Sequence, residues 1–113
     1  MEPRLASSVL VSALIRLVQS EGGSGAVLAK GDASAGAVTV ILTERGTRRL
    51  VLERIVQGDG TYRWQEIGNQ GAANAEDFGK FLERRRRFDP DLWILELDTA
   101  SAERFADEMG RVG

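Results

Sequence analysis

The chain has 113 residues, 42% apolar and 28% charged, with a formal net charge of −2. That suits one globular domain with its own core, and it gives no reason to expect long-range attraction to nucleic acid. Cysteine and histidine are both absent, which excludes disulfides, thiolate chemistry, Ser-His-Asp and Cys-His arrangements and histidine-bearing zinc sites.

The apolar run at residues 9–18, VLVSALIRLV, is far shorter than the roughly 20 residues needed to span a bilayer, and Arg16 interrupts it. As an export signal it fails too: Glu2 offsets Arg4, and no small-residue cleavage site follows. No membrane partner is expected, and the expected location is cytoplasmic. The run reads as a helix. Ser8, Ser12, Arg16 and Gln19 form one narrow polar stripe, and the rest of the circumference is apolar. A helix lying on a single sheet needs only about a 100° apolar face. The surplus must be covered, by a terminal helix carrying Phe105 and Met109 or by a second copy across a two-fold axis. A homodimer is favoured, with Val11 and Ile15 on the flanks as the interface residues.

A short strand follows around Ala26 to Ala29, then the turn-rich loop GDASAG. AVTVILTE reads as an interior strand, rich in β-branched residues, and Gly46 marks a tight turn. RRLVLERIVQ alternates, with Leu50, Leu52 and Arg54 on one face and Val51, Glu53 and Ile55 on the other. GDGT signals a hairpin into YRWQEIG, where Tyr62 and Trp64 share a face. Across that hairpin Glu53 and Glu66 are expected to face each other or to pair with Arg63 and Arg54. The second helix lies within NQGAANAEDFGKFLERRRRF, capped by Asn74 or Asn69. It places Glu76 and Asp77 in a first turn and arginines in a last turn, as the helix dipole prefers. Ala75, Phe78, Phe81 and Leu82 make its core stripe, and Asp89-Pro90 ends it. DLWILELD is a further strand, and SAERFADEMG a last helix with Phe105, Ala106 and Met109 inward.

The order α-β-β-β-β-α-β-α predicts an α+β fold. It is a single mixed, mainly antiparallel sheet of about five strands with three helices, one domain over residues 1–113. The four successive strands predict a meander, and the last strand, arriving through a helix, is expected to lie parallel to a neighbour.

Candidate chemistry is sparse. Acid-base work would need a carboxylate, Lys30, Lys80 or Tyr62, and a metal would have to be a hard one held by carboxylates. Glu96 and Asp98 share a strand face but lack a third ligand, so a carboxylate-dependent metal enzyme is the weakest alternative. No cofactor, metal site or catalytic residue is assigned. Arginine outnumbers lysine 13 to two, a bias also ordinary in proteins from GC-rich genomes. In the run Arg84 to Arg87, steps of 100° let only Arg84 and Arg87 lie close together. Glu83 sits one turn before Arg86 and Arg87, and Asp89 and Asp91 lie just beyond, which suits a neutralised, solvated helix end. The competing reading is a phosphate, nucleic-acid or acidic-partner patch, with Phe88 or Trp93 available for stacking. GDASAG lacks the lysine-serine or lysine-threonine pair of a P-loop and reads as a connecting turn.

Two stretches, GDASAGAV (Gly31 to Val38) and RRRFDPDLW (Arg85 to Trp93), carry a resemblance that extends from Val11 to about Asp98. The chain resembles domain-of-unknown-function family 1491, small proteins of alphaproteobacteria. The resemblance implies a compact cytoplasmic α/β-type fold, with no assigned activity and no catalytic residues to carry over. It suggests a shared surface: if the two stretches meet, Asp32 and Gly36 lie near Arg87, Asp89, Asp91 and Trp93. The plainer expectation is that DPDLW is the turn into a buried strand, with Trp93 in the core. The leading functional expectation is a non-catalytic binding or assembly module. The alternative is a nucleic-acid or phosphate-ligand binder using Arg84 and Arg87, with Asp89, Asp91, Trp93 and Asp32 beside them.

Overall fold

Two segments, VTVILTE and WILELD, carry apolar residues on both faces, and each therefore needs neighbours on either side in a sheet. The computed structural model, which describes residues 5–68 and 74–112, places them side by side at the centre. Eight elements follow in the expected order: α1 (Ser7–Ser20), β1 (Ser24–Ala29), β2 (Val38–Glu44), β3 (Thr47–Val56), β4 (Tyr62–Glu66), α2 (Ala75–Phe88), β5 (Trp93–Asp98) and α3 (Ala102–Met109). The strands form one mixed sheet in the order β1-β5-β2-β3-β4. β5 runs parallel to β2 and antiparallel to β1, while β2, β3 and β4 pair antiparallel in sequence.

The expected four-strand meander is therefore a three-strand one. β5 enters between β1 and β2, because Trp93, Leu95 and Leu97 on one face and Ile94 on the other are all buried. The glycine- and alanine-rich β1, mostly exposed, is left at the edge.

Period-2 alternation divides the core. Val38, Val40, Leu42, Trp93, Leu95 and Leu97 face α1 and α3; Ile41, Val51 and Ile94 face α2, through Phe78 with Phe81 and Leu82. In α2, Ala75, expected in the core stripe, is exposed. Asn74 caps the helix, its side chain accepting from the Asp77 amide at 2.9 Å. Asn69, the other expected cap, lies outside the described residues. Among the described residues no helix is long and apolar enough to cross a membrane.

α1 buries Leu10, Val11, Leu14 and Val18 and turns Ser12, Arg16 and Gln19 outward. Leu17 shares the core with α3, whose Phe105 and Met109 are fully buried there. Part of the surplus apolar flank is thus buried in a core that α3 also enters, while Val9 stays 48% exposed. Val11, expected at a dimer contact, is only 3% exposed and belongs to the chain's own core. Ile15 stays half-buried above β1.

The expected pairing of Glu53 across the β3–β4 hairpin also gives way. The register sets Gln65 opposite Glu53 and Leu52 opposite Glu66. Glu53 instead takes Arg85 of α2 at 2.8 Å, because its face of β3 is the one that α2 covers.

The turn from β2 to β3 has Arg45 at φ 52° and Gly46 at φ 80°, the pair of positive values that a two-residue hairpin turn requires. Asp98, at the end of β5, pins it. One oxygen accepts from the Thr43 hydroxyl at 2.6 Å and from the Gly46 amide at 2.9 Å. The Thr43 hydroxyl, then the Gly46 amide, hold the Asp98 carboxyl below the usual aspartate range. A lowered pKa in the folded state gives stability that is full above the ordinary aspartate pKa of about 3.9 and is lost as pH falls below it. Asp98→Asn should cost about 1–2 kcal/mol at pH 7, the scale of a hydrogen bond to a charged group. Urea unfolding at pH 7 and pH 3 checks this: the gap between parent and variant should narrow at the lower pH.

Candidate binding surface at the end of α2

The two stretches that stand out in the sequence meet in space. Position 31 and position 36 both face the backbone carbonyl of Asp91, and a Cβ at either would collide with its oxygen. Only glycine fits at either place, for want of room rather than for backbone angle. The same carbonyl accepts from the Asp32 amide at 3.0 Å. Trp93, 5% exposed, donates its indole N–H to the Asp32 carbonyl at 2.8 Å, and its amide bonds the Ala37 carbonyl. α1 joins the same junction. The Ser7 hydroxyl donates to the Gly36 carbonyl at 2.6 Å, and the amides of Ser7 and Ser8 bond the carbonyls of Ser34 and Ala33.

The Asp32 carboxylate turns back on its own loop, accepting from the amides of Ser34 at 3.2 Å and Ala35 at 2.8 Å. The amides that might have cradled an anion are thereby occupied, and GDASAG is a connecting turn. Asp89 does the same on the facing side, where its side chain accepts from the Asp91 amide at 3.1 Å. Asp91 itself is exposed.

The arginine run divides in two. Arg85 reaches Glu53 and lies 5.8 Å from the Phe81 ring centroid. Arg86 donates from Nη1 to the carbonyls of Lys30 and Leu92, both at 3.1 Å, tying α2 to the start of the glycine loop. The expected Glu83–Arg86 pairing along the helix is replaced by these two carbonyls. Arg84 and Arg87 point to solvent. Phe88, the last residue of α2, is 87% exposed. Arg84 and Phe88 are four residues apart and Arg84 and Arg87 three, so the three side chains form one patch.

Asp32, Gly36, Asp91 and Trp93 are thus brought together as a structural junction, and Arg84 and Arg87 stand outside it with Phe88. By sequence Phe88 suits core or stacking equally, and it lies seven residues after Phe81 on the same side of the helix. No periodic signal marks the point where the sheet ceases to lie beneath.

A separate cleft of about 340 Å³ opens on the α1 side, between Leu5, Ser7, the loop from Ser34 to Ala37, and the β3–β4 hairpin. The Arg54 guanidinium stacks there at 3.8 Å over the Tyr62 ring.

A family model described as "Protein of unknown function (DUF1491)" matches residues 5–107. The chain belongs to the DUF1491 family. Its fold is similar to that of a DUF1491 protein from Caulobacter crescentus CB15 solved by crystallography. That likeness has TM-score 0.77 and 31% identity, over 90% of this chain and 94% of that one. An NMR structure of a DUF1491 protein from the same organism gives TM-score 0.76 and 32% identity, over 92% and 94% of the two chains. The solution structure of protein Atu0922 from A. tumefaciens gives 0.73 and 33%, over 91% and 92%. No curated protein matches the chain.

For this DUF1491 protein the junction makes sharp demands. Gly36→Ala should destabilise it by more than about 2 kcal/mol, since the loop must move off the Asp91 carbonyl. Trp93→Ala should cost about 3–5 kcal/mol. Arg84→Gln with Arg87→Gln should cost less than about 1 kcal/mol. Denaturant melts of the three variants rank these effects; equal losses in all three would refute the division between junction and patch.

Proposed function

We propose that this protein is a non-catalytic binding and assembly module of the cytoplasm that presents the end of α2 to a protein partner. The observation that carries this reading is Phe88, 87% exposed at the end of a helix and bordered by Arg84 and Arg87. Leaving a phenyl ring in water forgoes about 1.5–3 kcal/mol of burial. Aromatic and arginine side chains are enriched where proteins bury contact surface, and few residues carry most of the binding energy. The absence of histidine and cysteine supports a role without acid-base or thiol chemistry.

A nucleic-acid partner is the second reading, favoured by the same two guanidinium groups beside a stacking ring. Against it stand the net charge of −2 and the carboxylates of Asp89 and Asp91, which would repel a phosphate chain.

Two measurements decide. A photoreactive phenylalanine analogue at position 88, irradiated in living cells, should give a discrete protein adduct that Arg84→Glu with Arg87→Glu abolishes. Yield no greater than from the same analogue at Val9, an exposed α1 position, would overturn the protein-partner reading. Fluorescence anisotropy with a single-stranded oligonucleotide tests the other. Affinity that falls steeply with salt and disappears in Arg84→Gln with Arg87→Gln would establish the nucleic-acid reading instead.

A further inference from the structure

The sheet has two edges, β1 and β4, and they differ in kind. β4, YRWQE, carries Arg63 and Glu66 along its short length. Charged side chains on an edge strand discourage another strand from pairing with it. β1, SGAVLA, carries no charge and no proline. Its Val27 and Leu28 are 43% and 50% exposed, and its outer row of amides and carbonyls faces away from β5. Among the described residues the only protective device is an irregularity between Val27 and Ala29, which leaves Ser24 to Val27 regular.

The residues on this strand fit a second copy of themselves. Gly25 pairs with Leu97 and Val27 with Leu95 across β5, so both lie on the face covered by α1. A Cβ on Gly25 would press on Leu97 and come within 3.2 Å of Ile15, so Ile15 lies directly above that glycine. In an antiparallel pair with a two-fold axis at Ala26, Val27 of each copy falls opposite Gly25 of the other. The position over Gly25 is filled by its own chain's Leu97 and Ile15, so the incoming valine meets an apolar surface and lands beside Ile15. Ala26 meets Ala26 on the opposite face, where exposed small side chains raise no obstacle. An uncharged strand has nothing to repel its own copy, and the same residues serve both sides of an isologous contact.

We infer that the β1 edges of two chains pair antiparallel, joining two five-stranded sheets into one and placing Val27 of each copy against Gly25 and Ile15 of the other. This deepens the assembly half of the proposed function and is independent of the α2 patch. It keeps Ile15 at the interface and replaces Val11 with Val27.

Sedimentation of the full chain across a concentration series, together with amide hydrogen exchange of β1, tests it. The parent should dimerise with a Kd of about 1–100 µM, and protection of the outward amides of β1 should rise with concentration. Val27→Lys places a charge on an already exposed side chain. It should weaken the dimer by at least about tenfold with unchanged circular dichroism and thermal melting. Arg63→Glu on β4 should leave the dimer intact. A parent that stays monomeric overturns the inference, as does a dimer that survives Val27→Lys without concentration-dependent protection of β1. If Val27→Lys loses its fold, the exchange measurement on the parent decides alone. Crosslinking from position 88 that persists in a monomeric Val27→Lys would leave the α2 reading standing whatever becomes of β1.

Discussion

The carbonyl oxygen of Asp91 stands where side chains at positions 31 and 36 would otherwise be, and it takes the amide proton of Asp32. Around that atom three parts of the chain remote in sequence are held in register: the start of α1, the loop from β1 to β2, and the turn from α2 into β5. The indole of Trp93 and the hydroxyl of Ser7 each supply one further bond to the loop. Each bond contributes only about 0.5–1.5 kcal/mol net, but a buried partner left without one costs about 1–3 kcal/mol. Loop, turn and helix therefore stand or fall together. The direction in which α2 ends is a product of this junction. Arg86 is tied back to Lys30 and Leu92, and with it committed inward, Arg84, Arg87 and Phe88 are left facing water.

The arginine-rich composition acquires a physical use in this setting. Arg48 lies 3.8 Å from the Phe78 ring centroid, Arg54 3.8 Å from that of Tyr62, and Arg85 5.8 Å from that of Phe81. A planar guanidinium stacks on a ring and still offers donors at its rim, which a lysine ammonium does not. β3 and α2 use this to bring cations next to apolar surface. These arginines do structural work that lysine would do poorly.

Much of this was legible in the sequence. The order of elements, the cap at Asn74, the turn at Gly46, and the burial of Trp93, Val40 and Leu14 follow from periodicity and turn chemistry, which are local. What was not legible depended on pairings between distant segments. Nothing in β5 names β1 and β2 as its two neighbours; only its need for cover on both faces hints at a central place. The burial of Val11 comes from a core that includes Phe105 and Met109, some ninety residues later in the chain. Glycines 31 and 36 read as turn-formers, whereas their stronger constraint is contact with the carbonyl of Asp91, far along the chain from both. At the surface, Arg84 and Arg87 were separable from Arg85 and Arg86 by helical angle alone, but the openness of Phe88 required knowing where the sheet stops.

The position of β5 has a consequence for how the molecule comes into being. Strands in a sheet are spaced about 4.8 Å apart, so a chain lacking residues 93–98 has a gap of about 10 Å between β1 and β2 and no hydrogen-bonded partner for β1 at all. A nascent chain emerging from the ribosome can form the β2–β3–β4 meander early, but α1 and β1 must wait, since Leu95 and Leu97 supply much of the surface on which they rest. The sheet is thus closed by the last of its strands to be synthesised. Until then the apolar face of α1 is exposed to whatever the cell offers, which makes the interval before β5 arrives the natural moment for a chaperone to engage this chain.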